Sequence, residues 1–215
     1  MNIEHIGIIP DGNRRWAKRN NVPLENAYEM FFQHICAIAK CLLLGNIKVL
    51  SVYIISSENL QRECEDVKAV LTAFNKALED LLPDLCLTNK IRINIIGEIS
   101  KLPFLNQQLL ESLSSKTMCF GEFTINMLIG YNPFAEINKI VMEKKSVTIF
   151  NLSVPQRVDL IIRTAGGPAR LSNFLPLQSG YAALHMFDDY FLDVTCEAIV
   201  NIVESYKRIE MRYGR

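Results

Sequence analysis

The apolar residues of this chain follow two spacings: short continuous runs typical of buried strands, and longer stretches with one apolar face typical of helices. Strands are predicted over 6–9, 47–55, 91–96, 123–129, 158–162 and 182–186. Helices are predicted to begin near 16–18 and to cover 25–44, 64–82, 105–113, 135–145 and 195–212, with Pro83 ending the third. The alternation of strands and helices predicts an α/β fold, a mainly parallel central sheet flanked by helices. We expect a single domain over 1–215, since this length is enough for one full core.

The first predicted strand leads into the densest polar group of the chain. An Asp11-Gly12-Asn13 turn is followed at once by Arg14 and Arg15. A tight glycine turn at a helix start leaves backbone N–H groups free for an anion, and arginine donors match phosphate. A carboxylate among such groups is best explained as a ligand for a divalent cation that bridges to the phosphate. The alternative is an ordinary Asp-Gly turn followed by solvated basic side chains.

A second polar group follows the strand predicted over 47–55. Ser56, Glu58, Asn59 and Arg62 place a hydroxyl, a carboxylate, an amide and a guanidinium close to that strand end. Serine and asparagine also cap helices well, so an ordinary helix start is an equal interpretation.

A third polar group follows the strand predicted over 158–162. Arg163 and Arg170 flank a loop that contains Gly166-Gly167, and Ser172 comes just beyond. Two arginines and a hydroxyl around such a loop can enclose a diphosphate through bidentate contacts. The alternative is a surface loop with two solvated arginines. Because ligands of parallel sheets bind beyond the carboxyl ends of the strands, we expect all three groups to meet there.

Composition narrows the function classes. The formal net charge is zero, so no basic excess indicates nucleic acid as a partner. Six cysteines without a CxxC pair or metal-ligand spacing predict buried free thiols in a reducing cytoplasm. The N-terminus does not have the pattern of a signal peptide, and we expect no transmembrane segment, because no uninterrupted apolar run approaches about 20 residues.

Three ordered blocks of this sequence resemble the cis-prenyltransferases, the undecaprenyl diphosphate synthase family. They read HIGIIPDGNRRWAK from His5, SVYIISSENLQR from Ser51 and VDLIIRTAGGPARLSNFLPLQSGYAAL from Val158. The resemblance implies a sheet flanked by helices, a homodimer, isoprenoid diphosphate substrates and Mg²⁺ at Asp11. It also implies that the terminal Arg212 and Gly214 reach into the neighbouring subunit's site.

The resemblance also implies roles for single residues. The predicted catalytic residues are Asp11, Asn13 and Asn59, with Asn59 helping the loss of a proton. The allylic diphosphate is expected on one set of residues and the homoallylic diphosphate on another, with Ser56 and Arg62 beside them. The first set is Gly12, Asn13, Arg14 and Arg15, and the second is Arg163, Arg170 and Ser172.

Departures from the family pattern concern the product and the metal. Leu24 and Tyr28 stand where the family has an arginine and a histidine, and Ala183 stands where it has a second metal carboxylate. Ile54 and Phe123 are expected to fill the product tunnel. These departures resemble the divergent subgroup that includes cyclolavandulyl diphosphate synthase. They predict weaker or different magnesium binding and a short, branched or cyclised product rather than a long polyprenyl chain.

Two other functions stay open at this point. One is a lyase resembling terpene synthases, which ionises a single prenyl diphosphate. The other is a non-catalytic subunit of a heteromeric prenyltransferase. Such subunits typically lose the aspartate of the first block, which this chain keeps as Asp11.

Overall fold

The computed structural model describes residues 2–61 and 64–209, without the side chain of Cys64. Six strands form one sheet in the order β3-β4-β2-β1-β5-β6, and every neighbouring pair is parallel. The strands are β1 (His5–Ile9), β2 (Val49–Ser56), β3 (Ile91–Ile96), β4 (Phe123–Tyr131), β5 (Leu160–Arg163) and β6 (Ala183–Met186). The predicted α/β fold with a parallel central sheet is therefore confirmed.

Helices connect the strands as far as β5, a loop joins β5 to β6, and the helices supply most of the core on one face of the sheet. They are α1 (Asn13–Asn20), α2 (Leu24–Leu44), α3 (Cys64–Lys76), α4 (Leu82–Asn89), α5 (Phe104–Thr117), α6 (Pro133–Met142) and α7 (Cys196–Lys207). Apolar residues of α2, α3, α4, α5 and α7 pack with the sheet in one buried cluster. The other face carries a smaller cluster, closed by the loop residues Val154, Val158, Phe174 and Leu175.

The hydrophobic runs predicted as strands are long because the central strands are buried on both faces. All five residues of β1 and all eight of β2 are buried. The edge strand β3 alternates instead, with Ile91 and Ile93 buried and Arg92 exposed. Strands that helices and loops cover on both faces lose the polar alternation that marks a half-exposed strand.

A row of polar side chains crosses the sheet on the face that carries the smaller cluster. Asn94 donates to Asn126 (3.0 Å), Asn126 donates to the Ser51 hydroxyl (2.9 Å), and that hydroxyl lies 2.7 Å from Nε2 of His5. His5 Nδ1 lies 2.9 Å from the carbonyl of Arg157, which can only accept, so Nδ1 carries the ring proton. All these bonds point one way and hold His5 neutral. Burial accordingly lowers the pKa of His5 from 6.5 to about 4.

Two predicted helix boundaries are wrong for physical reasons. Helix α1 begins at Asn13 rather than near Trp16, so Arg14 and Arg15 lie in its first turn. Pro83 does not end the helix predicted over 64–82. A π-helical turn over Ala77–Leu81 precedes it, with the N–H of Leu82 bonded five residues back to Ala77, and the chain continues as α4 to Asn89. The wider turn shifts the hydrogen-bond register and leaves room for proline, which lacks a backbone N–H.

Helix α2 is long and apolar enough, by length and composition, to match a membrane span, alone among the described helices. Its apolar face, which includes Phe31, Phe32, Ile35 and Ile38, is buried in the core against the sheet and α3. The core helix of a globular protein meets the same criteria. The absence of a transmembrane segment stays a prediction.

The cysteines whose side chains are described are free thiols. Cys36 and Cys86 are buried, Cys41 and Cys196 are partly buried and Cys119 is exposed. Buried free thiols were expected; among the described side chains, full burial holds for Cys36 and Cys86 and not for Cys41, Cys196 or Cys119.

Candidate active site

The three polar groups meet at the carboxyl edge of the sheet. There β1 lies between β2 and β5, so that Asp11, Ser56 and Arg163 converge from three neighbouring strands. They line a cavity of about 660 Å³. Its polar lining consists of Asp11, Asn13, Arg14, Arg15, Lys18, Ser56, Glu58, Asn59, Arg163, Ser172 and Asn173. Four cationic and two acidic side chains make this lining positive on balance.

Asp11 occupies the turn between β1 and α1 and is fixed through its backbone. Its carbonyl accepts hydrogen bonds from the Thr164 hydroxyl (2.8 Å) and the Phe191 N–H (3.2 Å). Its carboxylate accepts from the N–H of Gly12 at 2.7 Å. Gly12 has a φ of 101°, and a Cβ there would lie 2.6 Å from the Tyr190 ring and 2.8 Å from Ala165. Only glycine allows this turn to pass so close to both neighbours.

The start of α1 faces the cavity. The first-turn N–H groups of Asn13, Arg14 and Arg15 lack intrahelical acceptors, which suits an anion. The Asn13 side-chain nitrogen donates to the carbonyl of Pro10 at 2.9 Å. Its buried oxygen, Oδ1, has no hydrogen-bond partner. A buried polar atom without a partner is uncommon and marks a place where a ligand can bind.

Arg163 joins the first and third polar groups. One terminal nitrogen donates to the carboxylate of Asp11 at 3.0 Å, and the other donates to the Ser172 hydroxyl (2.8 Å) and the Arg170 carbonyl (2.6 Å). The Arg163 side chain is only 11% exposed, so its charge is held in place. Ser172 has a left-handed backbone with φ of 48°, which brings its hydroxyl back to Arg163.

The second polar group caps a short helical turn and also faces the cavity. The Asn59 N–H donates to the Ser56 hydroxyl at 3.1 Å, so the capping interpretation is confirmed. Both residues line the cavity nevertheless. Burial acts to raise the pKa of Glu58, but hydrogen bonds from its own backbone and from Ser56, Ser57 and Asn173 outweigh it and lower that pKa. Glu58 therefore stays charged at the cavity wall.

The inner end of the cavity is apolar and closes quickly. Tyr28, Phe31, Tyr53 and Ile54 line it. Tyr28 and Ile54 also line a second, small pocket of about 30 Å³, together with Val67 and Val70 of α3. Phe123, expected in a product tunnel, lies at the start of β4 instead, at the opposite edge of the sheet from the cavity. Leu24 packs beside Trp16 and Ala27, outside the cavity lining.

Some residues predicted for the site lie elsewhere or outside the described chain. The Arg170 side chain is exposed and does not line the cavity, although its carbonyl contacts Arg163. Arg62, Arg212 and Gly214 lie outside the described residues. Ala183 pairs with Leu160 at the start of β6, about 10 Å down the strand from the edge that carries Asp11. Within one chain it therefore lies away from Asp11, and weaker or different magnesium binding stays a prediction.

The residues fit a magnesium ion only together with a substrate. In the part of the chain that the structure describes, no group of three or more His, Cys, Asp or Glu side chains lies close enough to hold a metal ion. Asp11 offers a carboxylate that is 44% exposed to the cavity, and the unpartnered Asn13 Oδ1 lies on the same wall. Mg²⁺ is commonly held by one or two carboxylates, substrate phosphates and waters, which matches this donor set.

Sequence reasoning missed a set of contacts from the segment that follows β6. Tyr190 lies against Gly12, and Asp193 accepts hydrogen bonds from Arg19 and from the Trp16 ring nitrogen. Arg14 forms an ion pair with Asp66 of α3. These partners are at least 52 positions apart in sequence, and no local pattern indicates them.

Comparison with known proteins agrees with this geometry. Residues 9–214 match the model of the family described as "Putative undecaprenyl diphosphate synthase". A tritrans,polycis-undecaprenyl-diphosphate synthase (geranylgeranyl-diphosphate specific) from Pyrobaculum aerophilum is 30% identical, over 98% of this chain and 95% of its own length. An isoprenyl transferase from Treponema denticola is 32% identical, over 99% and 97%.

A solved structure shares the fold over its full length. Lavandulyl diphosphate synthase from Lavandula x intermedia, in complex with dimethylallyl diphosphate, superposes with a TM-score of 0.87 at 21% identity, covering 99% of this chain and 98% of that one. The family match, the two relatives and the cavity at the sheet edge lead to one conclusion. The chain belongs to the undecaprenyl diphosphate synthase family, the cis-prenyltransferases, and is a prenyltransferase.

Proposed function

We propose that this prenyltransferase condenses short isoprenoid diphosphates, dimethylallyl and isopentenyl diphosphate, to a short prenyl diphosphate with release of pyrophosphate. A branched or cyclised ten-carbon product made from dimethylallyl diphosphate alone is the most specific form of the proposal. The observation that carries it is the cavity itself, which has a cationic polar wall and a short apolar end.

The apolar end supports a short hydrocarbon tail. Tyr28, Phe31 and Ile54 stand where a tail would extend from the polar wall, and the space beyond them is about 30 Å³. Behind Phe31, the rings of Phe32 and Phe74 stack at 5.1 Å between centroids, so the core is filled there. A cavity of about 660 Å³ lies within the ordinary range of small-ligand sites, roughly 300–1,000 Å³.

The polar wall supports ionisation of an allylic diphosphate. The guanidinium of Arg15 would bind the diphosphate of the substrate, and the first-turn N–H groups of α1 would stabilise the negative charge that grows on it as it leaves. Mg²⁺ bound through Asp11 would supply further positive charge to that diphosphate.

The other half of the wall would hold the second substrate. Arg163 is fixed by Asp11 and Ser172, and its guanidinium is pre-oriented for a second diphosphate. The double bond of this second substrate then attacks the allylic carbon of the first, from which the diphosphate leaves. Asn59, which lines the cavity, would help the final loss of a proton. The apolar end excludes water from the carbocation.

The relatives leave two lengths of product open. The Pyrobaculum aerophilum relative is named as geranylgeranyl-diphosphate specific, whereas the lavandulyl synthase binds the five-carbon dimethylallyl diphosphate. The likeness to the lavandulyl synthase, at 21% identity, shows the fold alone. We favour the short substrate because of the closed apolar end.

Assembly and location remain proposals as well. A homodimer, with Arg212 and Gly214 reaching the partner's site, is in keeping with the exposed apolar side chains around α6. These are Phe134, Val141, Met142 and Phe150. Cytoplasmic location is likewise a prediction from the cysteine pattern.

The test incubates the purified protein and magnesium with dimethylallyl diphosphate, with and without isopentenyl diphosphate, and analyses the dephosphorylated products by gas chromatography–mass spectrometry. A ten-carbon branched or cyclic product from dimethylallyl diphosphate alone supports the irregular condensation. A linear product that requires isopentenyl diphosphate supports ordinary head-to-tail condensation. Pyrophosphate release without any coupled product would overturn the proposal in favour of the lyase, and no turnover in favour of the non-catalytic subunit.

A further inference from the structure

The ring of Tyr190 lies against two arginines of α1. The Arg15 guanidinium carbon is 5.2 Å from the ring centroid, and that of Arg19 is 4.9 Å away. Tyr190 belongs to the segment after β6, which the backbone bonds from Ala165 to Asp189 and from Phe191 to Asp11 attach to the site. A cation within about 6 Å of an aromatic face is attracted by it.

Arg19 is anchored independently of the ring. One of its terminal nitrogens lies 2.7 Å from both carboxylate oxygens of Asp193. Asp193 also accepts a hydrogen bond from the Trp16 ring nitrogen at 2.8 Å. Tyr190 packs against the cluster of Trp16, Ala17 and Ala27 and against the turn at Gly12. The ring is therefore held by Arg19, by that cluster and by the turn, and it also contacts Arg15.

Arg15 has little else to fix it. Its side chain is 55% exposed, and its ion pair with Asp11 is long, at 3.6 Å. An arginine side chain loses considerable rotamer freedom when it is ordered, so a weakly held guanidinium binds an anion less well. The stack on Tyr190 supplies that order before a ligand arrives.

We propose that Tyr190 is a positioning residue that holds the Arg15 guanidinium beside Asp11, in place for the diphosphate of the substrate. This positioning role rests on the proposed function in one respect, namely that the ligand of the cationic cavity wall is a diphosphate. The ring acts alike on the bound substrate and on the leaving diphosphate. It therefore contributes uniform binding, which changes KM more than kcat.

The variants distinguish the effect of the Tyr190 aromatic ring from the effects of its hydroxyl and of its side-chain volume. Tyr190→Phe keeps the stack, whereas Tyr190→Leu and Tyr190→Met remove the ring and keep an apolar side chain. Two such replacements are made so that at least one folded protein lacks the ring. Tyr181→Leu is the matched control, because Arg157 lies 5.7 Å from the Tyr181 ring, which does not line the cavity.

The readout is the Kd of inorganic pyrophosphate with magnesium, measured by calorimetry without turnover, together with KM and kcat. We expect a Kd within twofold of wild type for Tyr190→Phe and Tyr181→Leu, and a Kd raised about fivefold for Tyr190→Leu and Tyr190→Met. KM for the allylic diphosphate should rise by a similar factor, with kcat changed less than twofold. In an Arg15→Met background, loss of the ring should have no further effect on Kd.

The outcomes distinguish failure of the positioning role from failure of the proposed function. An unchanged Kd in both ring-less variants overturns the positioning role. The role is also overturned if loss of the ring raises Kd further in the Arg15→Met background, or if wild-type protein does not bind pyrophosphate. If Tyr190 governs pyrophosphate binding but wild-type protein makes no prenyl product, the positioning role stands and the proposed function fails.

Discussion

At the scale of single residues, the site is organised around Asp11. Its carboxylate lies between the guanidinium groups of Arg163, at 3.0 Å, and Arg15, at 3.6 Å. It is thus an acidic group surrounded by donors that suit phosphate, and it is 44% exposed toward the cavity. A carboxylate that only neutralised the arginines would weaken phosphate binding, so a role with a cation explains its position better.

Replacing Asp11 by asparagine tests that role. Asparagine keeps the size and can still accept from the Gly12 N–H, but it lacks the charge that holds a metal. We expect kcat to fall by about 10²- to 10³-fold. The free energy of unfolding should fall by no more than about 1 kcal/mol, because the carboxylate is partly exposed and its ion pairs are screened. Steady-state kinetics and urea denaturation measure the two quantities.

Glu143→Gln is the control, since Glu143 is remote from the cavity and contacts only Lys145 among the interactions described for its side chain. Its kcat should match wild type. Retention of more than a tenth of wild-type kcat in Asp11→Asn would contradict the metal role.

Single residues also show the limit of what the sequence can predict. Asp11, Ser56 and Arg163 could be placed together because each ends a strand of a parallel sheet, and the sheet geometry does the rest. Tyr190, Asp193 and the ion pair from Arg14 to Asp66 could not, because their contacts join distant segments and depend on how helices dock. The sequence could not show that Ala183 lies at the start of β6, because a motif gives the order of residues and not their height along a strand.

At the scale of elements, helix α1 and strand β2 determine the two ends of the cavity. The pattern of the sequence predicted all six described strands, since buried parallel strands are mostly continuous apolar runs. It did not predict the π-helical turn at Ala77–Leu81, which changes the register within a helix without changing its composition. The start of α1 at Asn13 was hidden because no Ser, Thr or Asp side chain caps it, and Gly12 takes that place.

Ile54 of β2 separates the cavity from the small pocket and lines both. We expect Ile54→Ala to join them and to lengthen the accepted hydrocarbon tail by about one isoprene unit, with a cost of about 2–5 kcal/mol in the free energy of unfolding. Product analysis with geranyl diphosphate as the allylic substrate measures the change.

Val52→Ala is the matched control on the same strand. Val52 is buried in the same cluster as Ile54, but it lines neither the cavity nor the small pocket. It should lower stability without changing the product. An unchanged product in Ile54→Ala would mean that this end of the cavity does not bind the tail.

The polar row through the sheet predicts a pH-dependent stability. His5 has a pKa of about 4 in the folded protein and 6.5 when unfolded, so the unfolded chain binds more protons between these values. Stability is complete above pH 6.5 and falls as the pH drops toward 4, by about 3 kcal/mol in all from this residue. Urea denaturation between pH 8 and pH 4 measures it.

His5→Gln removes the titration and keeps a side chain that can hydrogen-bond to Ser51. The variant should be less stable than wild type at pH 7 but should lose less stability on acidification. If both proteins lose the same stability between pH 7 and pH 4, the proton is taken up elsewhere and the role of the polar row in holding His5 neutral is wrong.

At the scale of the whole molecule, one fold serves relatives with very different products. The Pyrobaculum aerophilum relative is named as geranylgeranyl-diphosphate specific, and the lavandulyl synthase binds a five-carbon diphosphate. The cationic wall of this chain suits either substrate. The proposed short product therefore rests on the apolar end, where Tyr28 and Ile54 adjoin a pocket of about 30 Å³.

The most direct measurement of this central claim compares allylic substrates of increasing length. Dimethylallyl, geranyl, farnesyl and geranylgeranyl diphosphates are each assayed for pyrophosphate release and product mass, with and without isopentenyl diphosphate. We predict that kcat/KM is highest for dimethylallyl diphosphate and falls with each added isoprene unit, and that the products stay short. Preference for geranylgeranyl diphosphate, with growth to a long polyprenyl chain, would contradict the closed apolar end and place the chain with the long-chain synthases.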